Sequence, residues 1–588
     1  MESISANKEN IERLLSNKKV SFLIPDYQRP YAWTETECNT LWNDLYEFAI
    51  PEGNADNFNS EKDEYFLGPI VTFKNSDKKK FEIIDGQQRL TTILLLLRAF
   101  YTKFELNSMK DKKSLTIKTK IESCIWKTDE LGELISKDRI KRESEVATDN
   151  DKEQFKSILI YGKTDDSWKS RYALNFNFFM EKINEFISRS PSYLAYFPLR
   201  IIQNCVFLPI LADSQDIALR IFSTLNDRGL PLSDSDIFKA QFYKYYSGNN
   251  EKELFINQWK FLEGETKDIF KNSGNPMDEL FTRYMYFARA KRGIKSSTTE
   301  ALRKFYEKDS YAILKSKDTF EQLIDLVRFW RDISIQNVDR FSNETLKKLF
   351  VLNSAPNGMW KYFISVYYLQ NKDSFPERYD DASDKAFLGF LNKTIAFVLA
   401  YGITNPGVNA LRTPIFNEMI NIVHGKPVTF SDFRLDESQL RNSLNTFMFY
   451  NQRPVARSFL TWWAFTDKEQ VLLDLNLQLD IEHIYPKNRY NNEKPSFSEQ
   501  SLEKLGNKSL LEKRINIRAS DYAFIDKKKY YKGFTNVRGI EKEGTKIHEL
   551  FKLADQSGFT EKDINDRNNA IINEFIEFVD KEGLLRKA

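Results

Sequence analysis

Apolar residues are densest between Phe81 and Leu97, and their spacing changes partway through. Phe81-Glu82-Ile83-Ile84 is short, apolar and partly β-branched, which predicts a buried strand. Asp85-Gly86 breaks it. From Gln87 to about Tyr101 the apolar residues fit a helix, so Asp85, Gly86, Gln87, Gln88 and Arg89 fall where a strand turns into a helix. Upstream, Tyr65–Lys74 and Val20–Pro25 read as strands, the second ended by its proline. Glu35–Ile50 reads as a helix with Thr34 and Glu37 placed for a capping box. Ser5–Asn17 has the spacing of a short amphipathic helix. Residues 105–200 are helical and charged, with a loop at Lys110–Lys113, and Leu199–Leu211 is strand-like. A helix from Ala218 stops at Asn226-Asp227-Arg228-Gly229, and Ser233 or Asp234 caps the next. Residues 246–435 are helical and aromatic, with turns at Ser354–Gly358 and Asn405–Gly407. Glu561–Glu577 forms a closing amphipathic helix.

A chain of 588 residues exceeds a single core and implies several domains. The 47 Phe and 27 Tyr supply large cores. Basic and acidic residues nearly balance, 87 against 84, so contact with nucleic acid must come from local patches. The three cysteines, Cys38, Cys124 and Cys205, include no CxxC pair, which argues against a zinc site or a disulfide framework and fits a reducing compartment. The first residues are polar, unlike a signal peptide. The run Ile93–Leu97 is too short to span a bilayer. The expectation is a cytoplasmic protein with no membrane partner.

The junction at Asp85–Arg89 carries the first candidate chemistry. The opening N–H groups of a helix lack internal partners and sit at the positive end of its dipole. A glycine lets an anion approach, and an arginine adds a planar fork suited to phosphate. A second Gln-Arg pair, Gln28-Arg29, lies in Asp26-Tyr27-Gln28-Arg29-Pro30-Tyr31-Ala32-Trp33 and can converge on the same anion. The plainer alternatives are a strand–helix corner capped by Asp85, a surface ion pair for Arg29, and core packing for Tyr27, Tyr31 and Trp33.

The second constellation is Asp480-Ile481-Glu482-His483-Ile484-Tyr485-Pro486, followed by Leu505-Gly506-Asn507 and Asn516. His483 is one of three histidines, with His424 and His548. An imidazole beside carboxylates, with amides from following segments, can build a one-metal hydrolytic site. A hard Mg²⁺ or Mn²⁺ would take oxygens of Glu482 and Asn516. His483 would deprotonate water, with Asn507 orienting its ring. In a strand, 481 and 483 share one face and 480 and 482 the other, so a bulge is needed to join Glu482 and His483. The alternative is a partly buried histidine capping a turn. From Asp480 to Lys532 there are 12 basic and 8 acidic residues. Lys508, Lys513, Arg514 and Arg518 are candidates for DNA phosphate contacts, as are Lys527–Lys529.

The Asp26–Trp33, Asp85–Thr92 and Asn226–Gly229 (with Leu232-Ser233) segments resemble the N-terminal ParB/sulfiredoxin-like domain of GmrSD-type proteins. The Asp480–Pro486 segment with Leu505–Asn507 and Asn516 resembles the HNH nuclease domain of the same family. The family comprises modification-dependent (type IV) restriction endonucleases and relatives such as the SspE proteins. The resemblance implies an α+β, predominantly helical chain in three segments: a ParB/sulfiredoxin-like NTPase and DNA-sensing domain over 1–245, a helical spacer over 246–435, and an HNH (ββα-metal) endonuclease domain over 436–588. It implies ATP or GTP at Gln28, Arg29, Asp85, Gly86, Gln87, Gln88 and Arg89. It further implies Mg²⁺ or Mn²⁺ at Glu482 and Asn516, catalysis by His483 with Asn507, and modified double-stranded phage DNA as substrate in antiphage defence. Two nuclease domains are needed to cut both strands in one event, which suggests a homodimer. Glu482 stands where Asp is usual and Asn516 where His often stands. The competing expectation is a nucleotide-dependent DNA-binding regulator with a vestigial HNH domain.

Overall fold

The computed structural model describes residues 4–586 apart from 76–79, 107–110, 147–148, 215–216, 219–220, 222–232, 295, 297, 299, 376–377, 408, 494 and 496. The expected helix stop at Asn226–Gly229, with Leu232, lies outside the described residues. The chain divides into two compact units, Met1–Lys260 and Phe261–Ala588. The segment expected as a spacer after residue 260 thus packs within the same unit as the C-terminal segment.

The first unit is built on a mixed sheet. Its strands are β1 (Ile4–Ala6), β2 (Glu9–Asn10), β3 (Phe22–Ile24), β4 (Tyr65–Asn75), β5 (Lys80–Asp85), β6 (Arg142–Ser144) and β7 (Cys205–Ala212). They lie in the order β1-β7-β4-β5-β3-β6, with β2 also on β7. β3 runs parallel to both β5 and β6, while β4 and β5 are antiparallel. Helix α1 covers Ile11–Ser16, α2 covers Glu35–Ala49 and α3 covers Gln87–Leu106. Thr34 and Glu37 close the expected capping box of α2, and Ser233 with Asp236 closes that of helix Asp234–Gly248.

Buried on every side along most of its length, α3 is the centre of this unit, its polar residues such as Arg98 and Thr92 included. Ile93, Leu94, Leu95, Leu96 and Leu97 are all fully buried, each contributing about 2 kcal/mol relative to exposure. Two expectations change. Ser5–Asn17 is not one helix: Ile4–Ala6 and Glu9–Asn10 pair with β7, and only Ile11–Ser16 coils. Leu199–Leu211 is not one strand: helix Tyr196–Asn204 ends there and β7 begins at Cys205.

The second unit is mainly helical. Its centre is helix Asp381–Thr404, which is long and apolar enough to cross a bilayer by length and composition; 61% of its most apolar stretch is buried inside the fold. Phe387 and Phe390 on this helix meet Tyr367 and Phe363 of the neighbouring helix in stacked and tilted contacts. The buried Arg283 guanidinium lies between the Phe270 and Trp330 rings, 4.3 and 4.1 Å from their centroids, and pairs with Glu279. Toward the C-terminus, β8 (Leu479–His483) and β9 (Lys508–Glu512) form an antiparallel pair with His483 opposite Lys508 and Glu482 opposite Ser509. β9 runs directly into helix Lys513–Ala519, and helix Glu561–Lys581 closes the region.

Candidate active site and nucleotide junction

At the strand–helix junction Gly86 has φ +91°, and a Cβ there would stand 3.1 Å from the Pro69 carbonyl and 3.0 Å from Ile70 Cγ1. The glycine is required because β4 passes so close. Its carbonyl accepts the Leu90 N–H at 2.9 Å, so Gly86, not Asp85, is the residue that opens α3. The Asp85 carboxyl is raised above its usual range by burial, against the opposing pull of Arg89, the Gly86 N–H and Arg29.

The two Gln-Arg segments do meet. Gln87 Nε2 donates to Gln28 Oε1 and to the Arg29 carbonyl, both at 3.3 Å, and Gln28 Nε2 donates to the Ile84 carbonyl at 3.2 Å. Gln88 accepts the Ala32 N–H at 2.8 Å and donates to the Pro30 carbonyl at 3.1 Å, stitching the Asp26–Trp33 loop onto α3. Tyr31 is core, as the plainer alternative held: its hydroxyl bonds Thr92 at 2.7 Å and its ring stacks on Tyr172. Asp26 is buried and takes Lys252 and the Tyr243 hydroxyl.

Arg89 does not present the expected open fork. Its Nη1 donates to the Leu67 carbonyl at 2.9 Å and its Nη2 to the Pro69 carbonyl at 3.0 Å, with Asp85 at 3.4 Å. Those carbonyls flank Gly68, where β4 bulges against β7 at φ +105° and a Cβ would fall 1.7 Å from Arg89 Nη1. Gly68 was not singled out from the sequence; only the partner across the bulge makes it necessary. Arg29 keeps a spare donor: its buried Nε meets no partner among the described residues.

In the second unit the β8–β9 pair turns its polar residues to two faces. On one, Glu482 is 4% exposed and its Oε1 accepts from Lys527 Nζ at 2.5 Å and the Tyr531 hydroxyl at 2.7 Å. Asp480 lies on the same face, with Asn516 Nδ2 3.5 Å from its Oδ2. On the other, His483 Nε2 stands 3.5 Å from Glu503 Oε2 without making a hydrogen bond. Glu503 also takes Lys508 Nζ at 2.5 Å and Lys487 Nζ at 3.2 Å. Burial holds the His483 imidazole below its usual value, against the raising effect of Glu503, and favours the neutral ring. The Glu503 carboxyl is pulled down to about 2 by His483 and Lys508, overcoming burial.

Several expected roles therefore change partners. Lys508 is fully buried, donating to Glu503, Asn451 and the Phe449 carbonyl, so it cannot reach a DNA phosphate in this structure. Lys527 likewise serves Glu482. Asn507 does not orient the imidazole; its amide accepts the Tyr485 N–H at 2.8 Å and donates to the Tyr485 and Leu502 carbonyls, holding the turn after β8. Asn516 meets Asp480 instead of Glu482. Lys513 and Arg514 are exposed and Arg518 half-buried on helix Lys513–Ala519, open to a polyanion. Gly506 is explained by packing: a Cβ would fall 2.0 Å from the Ile564 carbonyl. Arg567 Nη1 donates to the Leu505, Gly506 and Lys508 carbonyls and fixes the same turn. Glu503 was missed because a lone glutamate beside a lysine in sequence carries no signal of burial.

On the Asp480 face the Asn516 amide turns its nitrogen toward the carboxylate; a hard cation there would take the Asp480 carboxylate and the Asn516 oxygen once the amide is turned over. A separate cluster, Asp467, Glu469 and His548, brings three ligand-type groups within 4.8 Å, but Lys552 already bridges both carboxylates.

No curated protein matches the chain. Two family models do: residues 11–243 match the GmrSD restriction endonuclease N-terminal domain, and residues 435–574 match the GmrSD restriction endonuclease C-terminal domain. The first covers the Gln-Arg junction and the second spans β8, β9 and Asn516. With both matches in the order of the two structural sites, over more than half of its length, the chain belongs to the GmrSD restriction endonuclease family, whose substrate is DNA.

Proposed function

We propose that this protein is a cytoplasmic, NTP-regulated, modification-dependent endonuclease of antiphage defence, cutting or nicking foreign DNA by metal-assisted phosphodiester hydrolysis in an HNH-type site. The observation that supports this most is the antiparallel β8–β9 pair leading straight into helix Lys513–Ala519, with His483 at the end of β8 and Asn516 on the helix, inside the segment matched by the family's C-terminal model. That succession is the ββα order expected of such a nuclease.

The half-buried His483 ring, which its surroundings hold toward the neutral form, would take a proton from the attacking water. Glu503, 3.5 Å from Nε2, would steady the imidazolium that results. β8 pairs with β9 without a bulge, so Asp480 and Asn516 lie across the strand from His483; for them to hold Mg²⁺ or Mn²⁺ beside the imidazole, joined by Glu482 once Lys527 gives way, the end of β8 would have to turn over. When bound, the ion supplies positive charge to the phosphodiester and its leaving oxygen. Lys513, Arg514 and Arg518 would position the DNA backbone. In the first unit Arg29, with Gln28, Gln87 and the start of α3, would face the nucleotide phosphates, while Gln88 and Arg89 hold the loop and β4 in place. Cutting both strands in one event would call for two copies.

The competing regulator reading has one observation in its favour: Glu482 is already neutralised by Lys527. A plasmid-nicking assay with Mg²⁺ and modified DNA separates the two. Wild type should nick and His483→Ala should lose about 10²-fold or more in rate. Equal behaviour of the two proteins would leave the regulator reading standing. Phosphate release from ATP and GTP by wild type and Arg29→Ala tests the nucleotide site.

A further inference from the structure

A cleft of about 400 Å³ runs along β6, the open edge of the first unit's sheet. Five of its lining residues are basic: Lys127, Arg139 and Arg142, with Lys152 and Lys156 from helix Lys152–Tyr161. Three are acidic, Asp138, Glu143 and Glu153, but Glu143 is already shared by Lys80 at 2.8 Å and Lys127 at 3.7 Å. Arg142 is 2% exposed, and neither its Nε nor its Nη1 has an acceptor among the described residues. Its guanidinium packs 4.4 Å from the Phe155 ring centroid and meets the Tyr172 hydroxyl, which donates to Asp149 at 2.6 Å. Among the described residues it has no ion pair with a carboxylate. A guanidinium taken out of water without a counter-charge is a strong demand for an anion. The ten-residue helix Lys152–Tyr161 begins at the cleft and its N-cap Asp151 makes no side-chain cap; Glu153 in its first turn offsets part of the positive end of the dipole, so the buried guanidinium carries most of the demand.

We propose that this cleft binds a run of phosphate oxygens, at a site separate from the Gln28–Arg89 junction. β3 alone lies between β5 and β6, so the two strands are about 10 Å apart and the cleft is a distinct locus on the same sheet. The Arg142 fork and the helix terminus favour clustered phosphates, as in the polyphosphate of a nucleotide; a nucleic-acid strand offers the same chemistry along a line.

The test titrates the full chain with inorganic tripolyphosphate by calorimetry at low ionic strength, in parallel with a labelled single-stranded oligonucleotide. Tripolyphosphate should bind wild type and raise its unfolding temperature. Arg139→Glu with Lys156→Glu, both surface changes, should weaken that binding by about tenfold or more, and Arg29→Ala at the junction should leave this event in place. Arg142→Gln should abolish the stabilisation by tripolyphosphate; if that variant fails to fold, the Arg139/Lys156 pair decides. Loss of the oligonucleotide alone in the double variant assigns the cleft to a strand, and loss of tripolyphosphate assigns it to a nucleotide; either supports an anion site. Unchanged binding of both probes by the double variant, or no binding by wild type, overturns it.

Discussion

Replacing Glu503 by Gln removes one negative charge from a group that is 1% exposed and meets Lys508, Lys487 and His483. In the folded protein its carboxyl sits at about 2, against 4.5 for an ordinary glutamate. Each unit of difference is worth about 1.4 kcal/mol, so the charge contributes roughly 3 kcal/mol at neutral pH. Because the folded value is the lower one, this stability is complete above the ordinary glutamate range and is lost as pH falls from about 4.5 through 2. In Glu503→Gln the buried Lys508 ammonium keeps neutral acceptors alone, the Asn451 amide oxygen, the Phe449 carbonyl and the amide oxygen of the new side chain, and loses its counter-charge. Hydrogen–deuterium exchange of the β8 and β9 peptides reads the loss locally. At pH 7 their protection should fall roughly a hundredfold, the equivalent of about 3 kcal/mol. The gap between variant and wild type should close as the pH is lowered through the acid range. Protection within a factor of two of wild type at pH 7, or a deficit that does not shrink in acid, would refute the reasoning.

Gly68→Ala should lower the thermal transition of the first unit by about 2–4 kcal/mol of stability, because the new methyl meets Arg89 and the backbone is left-handed; calorimetry showing no shift would contradict this. Lys527→Met should cost about 3–5 kcal/mol by stranding Glu482, and adding Glu482→Met should restore much of it, which a double-mutant cycle in urea measures. Asn507→Ala should destabilise the β8–β9 region by about 2–3 kcal/mol, with faster exchange at Tyr485, since three hydrogen bonds to the turn disappear.

What the residues revealed in advance follows from how local each signal is. The strand–break–helix change around Asp85 and the caps at Thr34 and Ser233 rest on neighbours within a few positions, and the structure has them. Leu199–Leu211 misled because a short apolar run fits either period, and only β4 beside Cys205 selects the strand there. Charge misled for a different reason. Lys508 and Lys513 look alike in a basic stretch, yet one is sealed against Glu503 and the other faces solvent. The motif letters Gly506 and Asn507, and likewise Gln88 and Arg89, turned out to have structural partners in the turn, the loop and β4. A linear reading assigns such residues to ligands because it cannot see the carbonyls folded against them.

The buried ion pairs on the two faces of the β8–β9 pair, Glu482 of β8 with Lys527 and Lys508 of β9 with Glu503, have a consequence for how the hairpin finds its alignment. Sliding β8 by a single position against β9 would exchange its inward and outward rows. A carboxylate would then be pressed against Glu503, while Lys527 lost its partner, each mismatch costing several kcal/mol. Such a hairpin proofreads its own pairing, and the imidazole reaches its station only when every charge has been matched.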